Sequence, residues 1–128
     1  MRGAALGTAL AMLLCLPAAA QEAGGFGDAL GNWARDDGNA RVRLAPCSVA
    51  LCATNTWIRD PASTEKVGDR LEMTLKSAGA DAWKGTAYDP QRKRSYGMTM
   101  SLRGGKLQTR GCVLGGLLCK SVDWTRIR

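Results

Sequence analysis

Hydrophobic and polar residues alternate along most of the chain after residue 30. In Arg70–Lys76, apolar side chains at 71, 73 and 75 are separated by charged or hydroxylic ones. A period of two is typical of a β-strand with one buried face, because successive side chains point to opposite faces. The pattern predicts eight strands, which are 31–35, 41–44, 51–58, 70–76, 83–88, 96–102, 107–112 and 121–127.

Turn sequences separate most of these segments. Asp36–Asn39, Asp89–Lys93 and Gly104-Gly105 contain the residues that favour tight turns, and Asp60–Gly68 is the longest irregular piece. Eight short strands joined mostly by tight turns predict an all-β fold, an eight-stranded antiparallel up-and-down barrel. The strand Ser121–Ile127 should close it, because closure removes the exposed sheet edges. A barrel of this size is filled by its own side chains or holds one small ligand.

The N-terminus has the pattern of a signal peptide. Met1-Arg2 is followed by an apolar run and then by the small residues Ala18-Ala19-Ala20. We expect cleavage after Ala20, so that no transmembrane segment remains. Cys15 also allows a lipoprotein anchor, but a lipidated cysteine follows a small residue and Leu14 is large.

This division assigns residues 1–20 to a cleaved signal peptide, 21–29 to a flexible lead-in and 30–128 to a single barrel domain. The predicted location is therefore periplasmic or secreted.

Four cysteines remain after cleavage, namely Cys47, Cys52, Cys112 and Cys119. An even number in a small exported domain predicts disulfides, and three pairings are open. Cys47–Cys52 and Cys112–Cys119 are favoured because each pair brackets a predicted tight connection. Zinc is the alternative, but four and six intervening residues differ from the usual C-x-x-C spacing. We predict no metal and no cofactor.

The sequence offers little for catalysis. It contains no histidine, and disulfide formation would leave no free cysteine in the exported chain. Asp36, Asp37, Asp60 and Asp89 could pair as catalytic carboxylates, but each lies in a turn sequence where Asp commonly accepts from backbone amides. We predict no catalytic residues and no enzyme activity, with a hydrolase as the weaker alternative.

The formal net charge is +7, and it becomes +6 when Arg2 is removed with the signal peptide. Excess positive charge favours anionic partners, and it also keeps a small secreted protein soluble. Arg92, Lys93 and Arg94 are the best candidates for an anionic contact, although a solvated turn is the favoured interpretation of this cluster. Export disfavours nucleic acid as the partner.

Inward positions of the predicted barrel carry large apolar side chains. The candidate ligand-lining residues are Trp57, Leu71, Met73, Trp83, Met98, Met100 and Trp124. Such residues more often form a core. If the interior is not filled, flexible methionines would line an adaptable apolar pocket.

Several motifs together resemble domain-of-unknown-function family 2147. They are Gly31-Asn32-Trp33, Trp83-x-Gly85-x-Ala87-Tyr88-Asp89-Pro90, Arg110-Gly111-Cys112 and Trp124-Thr125-Arg126. The resemblance covers nearly the whole mature chain and implies a small bacterial envelope protein with a lipocalin-like barrel and no established activity. Two loops depart from the family pattern, Asp60–Gly68 and Gln91–Arg94, so no binding role is carried over to them.

Gly31-x-Trp33 also resembles the opening motif of lipocalins. That resemblance implies that Trp33 packs at the closed end of the barrel beneath a basic residue from the last strand. Arg126 has the parity and position for this barrel-floor role, in which a guanidinium over an indole gains about 1 kcal/mol.

The leading hypothesis is a non-enzymatic periplasmic barrel that binds a small apolar or amphipathic ligand, or an envelope component. The alternative is a structural or interaction protein with a filled barrel, which contacts anionic envelope polymers through its basic surface. The sequence leaves the oligomeric state open.

Overall fold

The computed structural model describes residues 3–5, 7–13 and 25–128. Residues 3–5 and 7–13 have no regular secondary structure. Cys15 and the predicted cleavage site after Ala20 both lie outside the described residues. Within the described ranges, no helix has the length and hydropathy needed to span a membrane.

Eight strands account for most of residues 31–127. They are β1 (Gly31–Arg35), β2 (Ala40–Pro46), β3 (Leu51–Ile58), β4 (Arg70–Ser77), β5 (Ala82–Asp89), β6 (Arg94–Arg103), β7 (Lys106–Val113) and β8 (Leu118–Ile127). The predicted strands are confirmed, and most extend by one to three residues into the neighbouring turns because the ladder continues there. In the described part of the chain, helical structure is confined to two 3-10 turns, Gly27–Ala29 and Leu114–Gly116.

Each strand pairs with its neighbours in sequence, and the sheet closes on itself in the order β1 to β8. The closing pair is β1 with β8, antiparallel, with Trp33 opposite Arg126. The predicted eight-stranded antiparallel barrel is therefore confirmed. The direction of the strands places the loops 36–39, 59–69, 90–93 and 114–117 at one end of the barrel, which we call the open end. The start of β1 and the end of β8 lie at the opposite end, which we call the closed end.

The closed half of the barrel is filled by side chains. Alternation along the strands brings the largest fully buried side chains together, namely Trp33, Leu51, Met73, Met100 and Leu107. The predicted inward face of β6 is confirmed, since Met98 and Met100 are buried and Tyr96 and Leu102 are half-buried. These residues form the hydrophobic core of the protein, next to the open half of the barrel.

The inward position predicted for Trp57 is wrong. The register between β2 and β3 shifts, so that Val42 lies opposite Asn55 but Arg41 lies opposite Trp57. The extra residue, Thr56, forms a β-bulge that reverses the alternation, so Trp57 faces outward and is 39% exposed. Its indole lies beneath the Arg41 guanidinium, 4.9 Å from Cζ to the ring centroid.

The prediction of a flexible lead-in over residues 21–29 does not hold for residues 25–29, because they pack against the closed end of the barrel. The Trp83 indole donates to the Gly25 carbonyl at 2.7 Å, and the Trp33 indole donates to the Ala29 carbonyl at 2.9 Å. Ala29 is fully buried, and Phe26 packs against Trp83 with ring centroids 6.0 Å apart. This short segment therefore belongs to the barrel.

Both favoured disulfides are present. Cys47–Cys52 closes the β2–β3 turn at the closed end, and Cys112–Cys119 joins opposite residues of β7 and β8 near the open end. Each bond braces one hairpin.

Candidate functional site

The barrel floor is made by Trp33 and Arg126. The Arg126 guanidinium lies over the Trp33 ring at 4.3 Å from the centroid. It also donates to the backbone carbonyls of Leu30, at 3.0 Å, and Asp28. Gly31 has φ of 122°, and a Cβ there would lie 2.9 Å from Arg126 Nη1, so glycine gives the guanidinium room to reach the indole. The floor is closed by packing and hydrogen bonding.

The open half of the barrel contains a cavity of about 640 Å³. Its wall is largely apolar, because the inward positions of five strands carry hydrophobic or aromatic side chains there. They are Val42, Ala53, Leu71, Tyr96, Met98, Val122 and Trp124. The Trp124 indole donates to Thr109 Oγ1 at 3.0 Å, which fixes the ring against the wall.

The cavity separates the candidate ligand-lining residues into three groups. Leu71, Met98 and Trp124 line it. Met73, Met100 and Trp83 are buried in the filled half instead, with Met73 and Met100 at 1% exposure. Trp57 lies on the outer surface, as described above.

Two of the inward-facing cations at the mouth of the cavity, Arg94 and Lys120, are set apart by their surroundings. Arg94 precedes the inward-facing Tyr96 by two residues on β6, and Lys120 precedes Val122 by two on β8. Both side chains line the cavity. Among the described residues, neither has an acidic partner within 4.0 Å. Three carboxylates, Glu65, Asp69 and Asp89, also line the cavity, and each is paired with Arg35 or Arg92. Arg94 and Lys120 therefore supply positive charge at the mouth that the neighbouring carboxylates do not neutralise by direct contact.

The three side chains of the predicted basic cluster have different surroundings. Arg92 is held by Asp89, with Nη1 and Oδ2 3.0 Å apart, and it donates to the Thr64 carbonyl at 3.0 Å. The hydrogen bond that Arg92 donates to the Asp89 carboxylate raises the pKa of Arg92. Lys93 is exposed on the turn, and Arg94 faces the cavity. Of the three, Lys93 and Arg94 have no acidic partner within 4.0 Å among the described residues.

The loop 59–69 is tied to the mouth by an ion pair. Arg35 donates to both Glu65 carboxylate oxygens, at 2.9 and 3.0 Å, and its Nε donates to Asp37. The hydrogen bonds from Arg35 hold the pKa of Glu65 below its ordinary value, outweighing the opposing effect of partial burial. Because Arg35 and Glu65 both line the cavity, this pair links the loop to the entrance.

Tyr96 is half-buried in the wall of the cavity. Burial raises the pKa of its hydroxyl, and the nearby Asp89 carboxylate adds to the effect. A phenol in this setting is neutral at physiological pH and contributes an aromatic face to the wall.

Three of the four candidate carboxylates have the predicted turn role. Asp37 accepts from the Asn39 amide at 2.8 Å, Asp60 from the Ala62 amide at 2.9 Å and Asp89 from the Gln91 amide at 3.0 Å. Asp36 differs, because it accepts from Lys106 at 2.8 Å and from Thr125 at 2.6 Å on the outer surface. The hydrogen bond from Lys106 lowers the pKa of Asp36. In the described part of the chain, no three acidic or cysteine side chains are grouped to hold a metal.

Sequence reasoning missed Arg35, Glu65 and Lys120. The alternation of inward and outward side chains along a strand could have identified two of them. Arg35 lies two residues after the inward-facing Trp33, and Lys120 lies two residues before the inward-facing Val122. Glu65 had no such signal, because it lies in an irregular loop whose path depends on distant contacts.

Residues 31–126 match a family model described as "Uncharacterized protein conserved in bacteria (DUF2147)". The match spans β1 to β8 and includes both the cavity and the floor. No curated protein and no solved structure gives a significant match to the sequence.

Proposed function

We propose that this chain, which belongs to the DUF2147 family of bacterial proteins, is an exported, non-enzymatic barrel that binds one amphipathic molecule with an anionic head group. The observation that carries the proposal is the position of Arg94 and Lys120 above an apolar cavity. An apolar tail would lie along Leu71, Met98 and Trp124, and the head group would accept hydrogen bonds from the two cations.

The size of the cavity supports a small ligand. About 640 Å³ falls in the range of pockets that enclose small molecules. The alternative of a completely filled barrel, acting only through its outer surface, would require the open half to be packed like the closed half.

The proposed compartment is the bacterial periplasm or the exterior. Two disulfides within one small domain favour an oxidising environment, and the sequence begins with a signal-peptide pattern. The absence of histidine from the sequence and the turn hydrogen bonds of three aspartates support a binding role over an enzymatic one.

The experiment is a titration of the oxidised chain from Gln21 onwards with a fluorescent long-chain fatty acid. We expect saturable one-to-one binding. Met98→Trp should abolish it by filling the cavity, with retained melting temperature showing that the fold is intact. The double variant Arg94→Gln/Lys120→Gln should weaken binding about ten-fold, as expected for the loss of charged hydrogen bonds.

The matched control is Lys76→Gln/Lys84→Gln, which removes the same charge from opposed residues on the outer face of β4 and β5. It should bind as the wild type does. Unsaturable binding, or equal affinity in the Met98→Trp variant, would contradict the proposal.

A further inference from the structure

The hairpin between β7 and β8 ends in an exposed apolar tip. We define the leucine tip as Val113, Leu114, Leu117 and Leu118. Leu114 is 72% exposed and Leu117 is 86% exposed, although leucine normally avoids water at such positions. Contiguous exposed apolar side chains on a small protein commonly mark an interaction surface.

The backbone holds the tip in this form. Leu114, Gly115 and Gly116 have φ of 54°, 66° and 93°, so three successive residues adopt the left-handed region. Glycine adopts it without strain, whereas leucine rarely does, and here the loop keeps its side chain in solvent. Directly below, the Cys112–Cys119 disulfide joins the two arms, with Cα atoms 4.1 Å apart. The tip is therefore a braced projection.

Charge around the tip is positive. The sequence from Lys106 to Val122 contains no acidic residue. Arg110 and Lys120 lie on the two arms of the hairpin, and Lys93 lies on the neighbouring turn at the same end of the barrel. Among the described residues, none of these three cations has an acidic partner within 4.0 Å.

The apolar surface continues from the tip into the barrel. Val113 and Leu118 belong to the tip, and both also line the cavity. A layer that covers the tip therefore meets the cavity mouth as well. A narrow apolar projection surrounded by cations fits a bilayer interface, where leucines enter the acyl region and basic residues meet anionic head groups.

We propose that the leucine tip docks the protein on anionic phospholipid bilayers, with the cavity mouth facing the membrane. Docking is distinct from ligand binding in the cavity, because it requires the tip and the surrounding cations but no occupant in the barrel.

Vesicle flotation tests the proposal. The oxidised chain from Gln21 onwards should float with vesicles of phosphatidylcholine and phosphatidylglycerol, bind phosphatidylcholine alone more weakly, and dissociate with added salt. Leu114→Asp/Leu117→Asp should reduce binding at least about ten-fold. The fold should survive, since both side chains are exposed and aspartate tolerates the left-handed region better than leucine.

A matched control exists at the opposite end of the barrel. Val49 is 44% exposed in the other disulfide-closed turn, and Val49→Asp should leave vesicle binding unchanged. Lys93→Gln/Arg110→Gln changes two cations that do not line the cavity. It should weaken binding to anionic vesicles and leave fatty-acid binding as it is.

Two results would overturn the proposal. One is vesicle binding that is equal in the wild type and in Leu114→Asp/Leu117→Asp. The other is wild-type protein that ignores vesicles but dimerises through the tip, as shown by light scattering and reversed by the same double variant. Met98→Trp separates the two proposals, because it should lose fatty-acid binding and still float with anionic vesicles.

Discussion

Arg126 combines three contacts that would otherwise require separate residues. Its guanidinium covers the Trp33 ring and donates to the carbonyls of Leu30 and Asp28. The flat shape and fixed donors of arginine suit this combination, whereas a lysine ammonium could not cover the ring and bind both carbonyls. One exposed side chain thus joins β8, β1 and the segment that precedes β1.

Arg126→Ala should lower the free energy of unfolding by about 1–2 kcal/mol, because it removes a cation–π contact and two charged hydrogen bonds in a partly hydrated site. Urea unfolding followed by tryptophan fluorescence measures this change. Arg41→Ala is the control, since it removes the cation over Trp57 on the outer surface. Its effect should stay within about 0.5 kcal/mol. Equal losses in both variants would contradict the floor role.

At the scale of strands and loops, regular elements were predictable and exceptions were not. Alternation located all eight strands, and turn residues located the connections. The bulge at Thr56 was not predictable from the sequence, because Asn55 and Trp57 are two residues apart and would face the same side of an unbroken strand. Only the pairing with β2 shows that Thr56 is an extra residue. The cavity was also beyond local reasoning, since whether Met98 or Met100 meets open space depends on how all the strands pack together.

The loop 59–69 should respond to acid through Glu65. Because Arg35 holds the pKa of Glu65 below its ordinary value, the stabilisation is complete above that value and is lost as the pH falls through the lowered pKa. We expect the loop to loosen from the mouth as the pH falls below about 4.5, the ordinary value for Glu65, and Asp37, whose pKa is also lowered and which also accepts from Arg35, adds to the loss.

Glu65→Gln isolates this pair at neutral pH. Losing a half-exposed ion pair worth about 1 kcal/mol should raise proteolytic cleavage within the loop about five-fold. Glu72→Gln is the matched control. Glu72 and its partner Arg70 both lie on β4, so this ion pair does not connect the loop 59–69 to another strand. Cleavage that is unchanged in Glu65→Gln, or raised equally in Glu72→Gln, would show that the pair does not hold the loop.

Across the whole molecule, the two ends of the barrel differ in structure. The closed end is filled and covered by residues 25–29, whereas the open end carries the cavity, the inward-facing cations and the leucine tip. Composition predicted the positive charge but could not locate this asymmetry, because it depends on which distant residues the closed sheet brings to one rim.

The asymmetry predicts that the segment before β1 is structural. A chain that begins at Leu30 loses the carbonyls that accept from Trp33, Trp83 and Arg126, together with buried Ala29. Relative to a chain that begins at Gln21, its free energy of unfolding should fall by about 3 kcal/mol, since three hydrogen bonds and apolar contacts disappear. Urea unfolding gives the value. Fatty-acid affinity of the remaining folded protein should be nearly unchanged, because the cavity lies in the other half. Equal stability of the two chains would mean that the barrel floor closes without this segment.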